Sequence, residues 1–448
     1  MVMTTWLDKW TPEDPQFWET EGKQRAWKTL WVTTASLTLS FATWFMISAI
    51  VVKLPGIGFK FTTQQLFWLA AMPGLAGGTL RILHTFLIPI YGTRNVVTFS
   101  TLIKVIPCIG IGLAVMDTAT PFWVFIVLAF LAGFGGGDFS SHMPSTSLFF
   151  PKRLQGTVLG IQAGIGNFGV SLAQFMTPIV LGFATVGAAQ LFSVKDKAGQ
   201  VIATKEIFLQ SAALWYVPLL LVLTVACWIV LKSIPVRASF KEQLEIFKDK
   251  HTWYCTIIYV MTFGSFAGLS ASFPLMIKSL YGNFPDAPDP LKFAFYGPLI
   301  GSTSRVVFGF VSDKTGGAIL TTLTGVGLAA VTSIMFSLGL FAPTGLDVFP
   351  AFVTSMLALF FLTGIGNAAT FRQYSMIFSH NPIQRAGVMG WTSAVAAYGP
   401  FVFASLIGAV ISSSGNANGF FVGYLVFVIV ATFVNWWFYS RTGCERPS

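Results

Sequence analysis

Two arginines lie inside long apolar stretches, Arg81 in PGLAGGTLRILHTFLIPIYG (Pro73 to Gly92) and Arg305 in GPLIGSTSRVVFGFVSDKTG (Gly297 to Gly316). A constant offset of 224 superimposes Gly77 on Gly301, Thr79 on Thr303, Arg81 on Arg305, Phe86 on Phe310 and Gly92 on Gly316. Arg81 is about ten residues, or roughly 15 Å, from the nearer end of its stretch, too deep to snorkel easily. Two cations at that depth facing one cavity repel each other unless something negative sits between them. A guanidinium keeps its proton and offers a planar fork of donors, which suits a flat, delocalised oxyanion better than a lysine point charge does. The chemistry expected is therefore binding of a small anion. The electrostatics alone would equally accept chloride, phosphate or an organic acid. The competing reading pairs each arginine with a buried acid or with backbone carbonyls, yet Asp138 is the only acid placed well inside a span.

Asp138 stands in GFGGGDFSSHMP with His142 one turn on, and Lys104 stands in FSTLIKVIPC at a similar depth. An intramembrane acid is a functional candidate by default, here a proton carrier. Antiparallel neighbouring helices would bring Lys104 beside Asp138, and a structural ion pair is the favoured expectation, since a paired carboxylate titrates poorly near neutrality. Arg372 lies about six residues from its helix end and can snorkel. His142 and His380 read as packing or helix-end residues, and no second ligand at metal spacing accompanies them. The four cysteines show no paired spacing, no nucleophile and base set or phosphate loop occurs, and neither metal nor cofactor is expected.

These residues must be positioned by membrane helices. The 448 residues are 54% hydrophobic and 10% charged, which excludes an ordinary soluble domain. Twelve spans are predicted near 28–53, 64–91, 95–117, 120–148, 156–184, 207–232, 252–280, 292–313, 317–341, 350–378, 386–412 and 418–440. The resulting organisation is an amphipathic N-terminus (1–27), a six-helix bundle (28–232), a linker with a short amphipathic helix (233–251), a second six-helix bundle (252–440) and a tail (441–448). The net charge of +10 does not imply a nucleic-acid partner, because its distribution matters more than its sum. Sixteen Lys and Arg fall on the side of the termini and seven on the other, placing both termini in the cytoplasm. The N-terminus lacks the pattern of a removable signal peptide.

A second, weaker internal match, at an offset of 230, sets Gly160 on Gly390 and Gly169 on Gly399. Two like halves imply bundles related by an axis along the membrane normal that rock about a central site, the major facilitator plan. GFVSDKTGG, Gly309 to Gly317, resembles the loop motif of that superfamily, in which Asp313 and Lys314 would act as a gate contact. Gly160, Gly164, Gly166 and Gly169 are expected to let helices approach closely and slide.

At WTPEDPQFW, GFKFTTQQLF, FYGPLIGSTSR, SLFFPKRLQG, YVMTFGSFAG and above all GIQAGIGNFGVSLAQ (Gly160 to Gln174), the chain resembles the bacterial nitrate/nitrite porter family of the NarK/NarU type. The resemblance covers nearly its whole length. It implies an all-α fold of twelve helices in two pseudo-twofold bundles, working by alternating access in the bacterial cytoplasmic membrane as a monomer. It implies further that Arg81 and Arg305 clamp nitrate or nitrite, that Asn167 belongs to the first signature, and that Phe139, Tyr259 and Phe263 line the pocket. The second signature, expected in the eleventh span, departs here as GWTSAVAAYGPFVF, with Gly390, Ser393 and Gly399 as its counterparts. Exchange of nitrate for nitrite is the first expectation and nitrate/proton symport through Asp138 the alternative. A nitrate-sensing receptor on the same scaffold is a third, disfavoured because the longest soluble stretch is only the N-terminal 27 residues.

Overall fold

Hydrocarbon offers backbone polar groups no partners, so a chain this apolar must satisfy them within helices. The computed structural model describes residues 6–195, 200–234 and 245–448. Among them twelve spans follow in order. In the first half these are α1 (Pro15–Ile50), α2 (Thr63–Thr85), α3 (Ile90–Ala114), α4 (Phe122–Phe149), α5 (Lys152–Val180) and α6 (Ser211–Val230). The second half holds α7 (Lys250–Tyr281), α8 (Tyr296–Thr315), α9 (Gly317–Ser337), α10 (Phe349–Ile377), α11 (Gly387–Ser414) and α12 (Asn418–Ser440). Ten of these are long and apolar enough to cross a membrane, the other two being α5 and α8.

Burial separates inner from outer helices. The most apolar window of α7 is 94% buried and that of α1 72%, against 22% for α6 and 33% for α12. The first pair therefore sits at the centre of the bundle, while α6 and α12 turn Val222, Ile229, Val426 and Phe433 outward to lipid. Across the halves, α5 packs on α8 and α2 on α11.

The 224-residue repeat is visible in the backbone. Gly92 (φ 76°, ψ 161°), in the first turn of α3, and Gly316 (φ 88°, ψ 142°), at the end of α8, make the same reversal, in a left-handed region that a Cβ disfavours.

Three segments differ from the sequence expectation. The first helix starts at Pro15, with the Asp14 carboxylate accepting from the backbone N–H of Gln16 and Phe17, so the amphipathic approach is continuous with the span. Trp18 and Ala26 pack against Phe149 and Phe150, and the Leu7 N–H donates to the Ser233 carbonyl at 2.8 Å. Residues 235–244 of the expected linker helix lie outside the described residues, and Glu245–Lys248 forms a single 3₁₀ turn. Between α5 and α6 the chain forms an antiparallel hairpin of β1 (Gln190–Lys195) and β2 (Val201–Ile207). Its strands, QLFSVK and VIATKEI, do not alternate cleanly between polar and apolar residues, so they are easily taken for loop beside helices of high hydropathy.

The hairpin lies on the face opposite the termini, where the halves are also tied together. Lys53 Nζ donates to both Asp289 oxygens at 3.0 and 2.8 Å, and Lys278 Nζ to the Val52 carbonyl. Burial pulls the Asp289 carboxyl up, but the Lys53 ammonium overrides it and holds the group below the usual carboxylate range. Deeper on the same seam, Ser171 Oγ donates to the Phe295 carbonyl and Gln174 Nε2 to that of Ser270, each at 2.9 Å.

Candidate functional site

Arg81 and Arg305 meet at the centre of the bundle, around one aromatic cluster in which they share Phe263. The Arg81 guanidinium carbon lies 4.8 Å from the Phe139 ring centroid, 5.2 Å from Phe263 and 5.3 Å from Trp44. That of Arg305 lies 5.1 Å from Phe371 and 5.9 Å from the same Phe263 ring. Phe139 stacks on Phe371 across the halves, with centroids 6.4 Å apart and planes 9° from parallel. Tyr259 stacks on Phe263 at 5.5 Å and 8°. Each cation thus faces aromatic quadrupoles, an attraction strengthened by desolvation.

Departures from regular helix shape this arrangement. In α4, turns at Gly133 and Asp138 interrupt the helix around the glycine run, and the Gly136 carbonyl accepts from Arg81 Nε at 2.7 Å. In α7 a π-helical turn, Val260–Gly264, carries Phe263, a bulge of the kind often found at functional sites. In α11 the Ser393 carbonyl, just before the break at Ala397 and Tyr398, accepts from Arg81 Nη1 at 2.8 Å. Gly77 leaves room for Trp44, whose indole would stand 3.0 Å from a Cβ there.

Two of the three Arg81 nitrogens are thereby held by carbonyls, and its Nη2 has no acceptor among the described residues. Arg305 differs, because neither Nη1 nor Nη2 has one. The Tyr259 hydroxyl and both amide atoms of Asn167 are likewise buried without partners among the described residues. Asn167 follows Gly164, whose Cβ would stand 2.3 Å from Val306 Cγ2, beside Arg305. Buried donors left open are costly unless a ligand accepts from them, so one fixed and one free guanidinium make a site suited to an anion.

Next to this site lies a second polar cluster, confined to the first half. The Lys104 ammonium contacts the Asp138 carboxylate directly and donates to Ser40 Oγ at 2.9 Å, while Ser40 Oγ donates to Asp138 at 2.6 Å. Lys104 and Asp138 are both wholly buried. His84 Nδ1 lies 3.7 Å from the other Asp138 oxygen and 3.0 Å from Ser141 Oγ. His142 joins Ser141 to Ser36 at 3.2 and 2.9 Å.

The signature glycines divide by location. Gly166 abuts Leu37, and Gly169 would bring a Cβ within 2.0 Å of the Thr38 carbonyl, so both seat α5 on α1 within the first half. Only Gly164 among them faces the other half. Gly160 has no atom within 4 Å of its Cβ position and does not serve the close packing expected of it. Gly399 closes on the Gly264 backbone within the second half, and Gly390 is in ordinary contact with Thr85. The Asp313 side chain, expected at the gate, lies outside the described residues.

Sequence reading missed Trp44, Phe371 and the two carbonyls that hold Arg81. A tryptophan at mid-span was the available signal for the first; for the carbonyls there was none, because any residue carries one.

Two bundles of six helices joined by an internal repeat around a central cationic site define a membrane transporter of the major facilitator class. The chain matches the Major Facilitator Superfamily over residues 33–354 and belongs to it. It is 54% identical to a probable nitrate/nitrite antiporter, NarK2, of Thermus thermophilus, over 99% of this chain and 98% of that one. It is 38% identical to the nitrate/nitrite transporter NarU of Escherichia coli, over 97% and 96%. Within the superfamily the chain belongs to the nitrate/nitrite porter family. A solved bacterial homologue of the human lysosomal transporter Spinster, inward-facing and unoccupied, shares the fold with a TM-score of 0.63 at 15% identity, covering 92% of this chain and 96% of that one.

Proposed function

We propose that this protein carries nitrate and nitrite across the bacterial cytoplasmic membrane by exchange, with one anion held between Arg81 and Arg305. The observation that carries the reading is the set of open donors at the centre, Arg81 Nη2, Arg305 Nη1 and Nη2 and the Tyr259 hydroxyl, set among flat aromatic faces. A planar anion can accept several in-plane hydrogen bonds while its faces lie against Phe139 and Phe371, whose planes are 9° from parallel. The likeness to NarK2 and NarU supports nitrate and nitrite over other anions that would satisfy the charge. Exchange is favoured over symport because the acid nearest the site, Asp138, is bound to Lys104 and so is a poor proton carrier. Two like positive groups resist returning empty, which favours crossing with an anion in each direction.

Both termini lie in the cytoplasm by the distribution of Lys and Arg. The tied face with the Lys53 and Asp289 bridge is then the outer one, and the pair acts as an outer latch in this state. Counterflow in proteoliposomes tests the mode of exchange. Nitrate uptake is expected to require internal nitrite or nitrate and to ignore an imposed pH gradient; uptake into empty vesicles driven by acid outside would replace exchange with symport.

Gly164 separates movement from binding, because it meets Val306 across the halves, next to the binding arginine. A Gly164→Leu variant is expected to bind nitrate within about threefold of the parent, as no binding donor is removed, while flux falls at least tenfold as the halves lose their sliding contact. Separate measurement of equilibrium binding and proteoliposome flux checks this, and normal flux would refute it.

A further inference from the structure

Asn367 is fully buried, and neither its Nδ2 nor its Oδ1 has a hydrogen-bond partner among the described residues. An open primary amide in a membrane helix leaves two donors and an acceptor unpaid by solvent or protein. The direction it faces follows from helical register. At about 100° per residue, Phe360, Asn367, Phe371 and Tyr374 fall within an arc of about 60° on α10. The three other members of that face all meet α7: Phe360 packs on Phe266 at 6.1 Å, Phe371 on Tyr259 at 5.3 Å, and the Tyr374 hydroxyl donates to the Cys255 carbonyl at 2.5 Å. The helices run antiparallel, so Asn367 comes level with Thr262 and Phe263; consistently, a Cβ on Gly366 would stand 2.5 Å from Thr262 Cγ2. On the adjoining edge, Gly364 packs against Gly301 and Ser304 of α8, the turn that leads into Arg305. Asn367 thus lies one turn from the ring under Arg305 and level with the ring that both arginines share.

We infer that Asn367 is a specificity-determining residue of the anion site, turning its amide N–H to an oxygen of the bound anion and its carbonyl to an N–H of Arg305. This rests on the reading of the site as a nitrate pocket. A guanidinium fork engages two oxygens of a trigonal anion. A further donor set beside the fork reaches a third oxygen, which a spherical halide does not have. The amide is suited to the place because it donates and accepts at once. A leucine does neither, and a carboxylate would pair with Arg305 and displace the anion.

The test is equilibrium binding of nitrate and of chloride to the detergent-solubilised full chain, unmodified and as Asn367→Leu and Asn367→Asp, each checked for monodispersity. Asn367→Leu is expected to weaken nitrate about tenfold or more, the usual scale for one hydrogen bond to a charged group, and chloride much less, so that the nitrate to chloride ratio falls. Asn367→Asp, close in shape to the native residue, is expected to lose nitrate binding further. An unchanged ratio in Asn367→Leu overturns the inference, and so does parental nitrate affinity in Asn367→Asp if the leucine variant does not fold. Failure of the unmodified chain to bind nitrate would instead remove the reading of the site and the inference with it.

Discussion

Replacing Arg305 with lysine is expected to weaken nitrate binding by about 10- to 100-fold while leaving chloride binding within a few-fold, the loss of one or two charge-assisted hydrogen bonds with the charge retained. Both terminal nitrogens of Arg305 are without acceptors among the described residues, so its contribution to the fold through hydrogen bonds is small and the effect should appear in binding. A lysine would supply the positive charge from a compact ammonium but not the planar fork that matches two oxygens in the plane of the ion. It would also lose the flat surface that lies over Phe371 and Phe263. Titration of each anion against the purified variant checks this. Unchanged nitrate affinity would mean that charge alone holds the anion. Arg81→Lys is a different experiment, because Arg81 also ties α2 to α4 and α11 through the Gly136 and Ser393 carbonyls. Its loss would mix a binding defect with a defect of assembly.

Lys104→Ala is expected to destabilise the protein by about 3–5 kcal/mol, because it strands the Asp138 carboxylate in the apolar interior. Among the described residues Ser40 would remain as its hydrogen-bond donor, with His84 Nδ1 3.7 Å away. The double variant Lys104→Leu, Asp138→Asn removes both charges at similar volume, and such replacements of a buried pair are often neutral. Recovery of thermal stability and of nitrate flux in the double variant would establish the pair as structural. Recovered stability with flux still absent would assign Asp138 a part in coupling and would revive symport. Thermal unfolding followed alongside proteoliposome transport distinguishes these outcomes.

What was legible in the sequence follows from contrast against the background. Charges are scarce in this chain, so Arg81, Arg305, Lys104 and Asp138 stand out, and a repeat that includes an arginine aligns two of them without any structure. The helix count was legible for the same reason, since hydrophobic runs of spanning length have few alternatives in a membrane. Aromatic residues gave no such contrast. With 45 phenylalanines in the chain, Phe371 has nothing to mark it until α10 is laid against α8, and Phe139 and Phe263 were found only through the family resemblance. The carbonyls of Gly136 and Ser393 depend on where α4 and α11 depart from regular helix, which a hydropathy pattern does not encode. The glycines illustrate the same limit, as Gly160 and Gly164 are indistinguishable in the signature, yet one faces open space and the other the opposite half.

The central claim is that Arg81 and Arg305 hold one anion together. Calorimetric titration of nitrate into the parent, Arg81→Gln, Arg305→Gln and the double variant tests it most directly, through both stoichiometry and coupling. One nitrate per chain, with the double variant binding hardly worse than either single one, is the expected result. Two nitrates per chain, or losses that simply add, would contradict it.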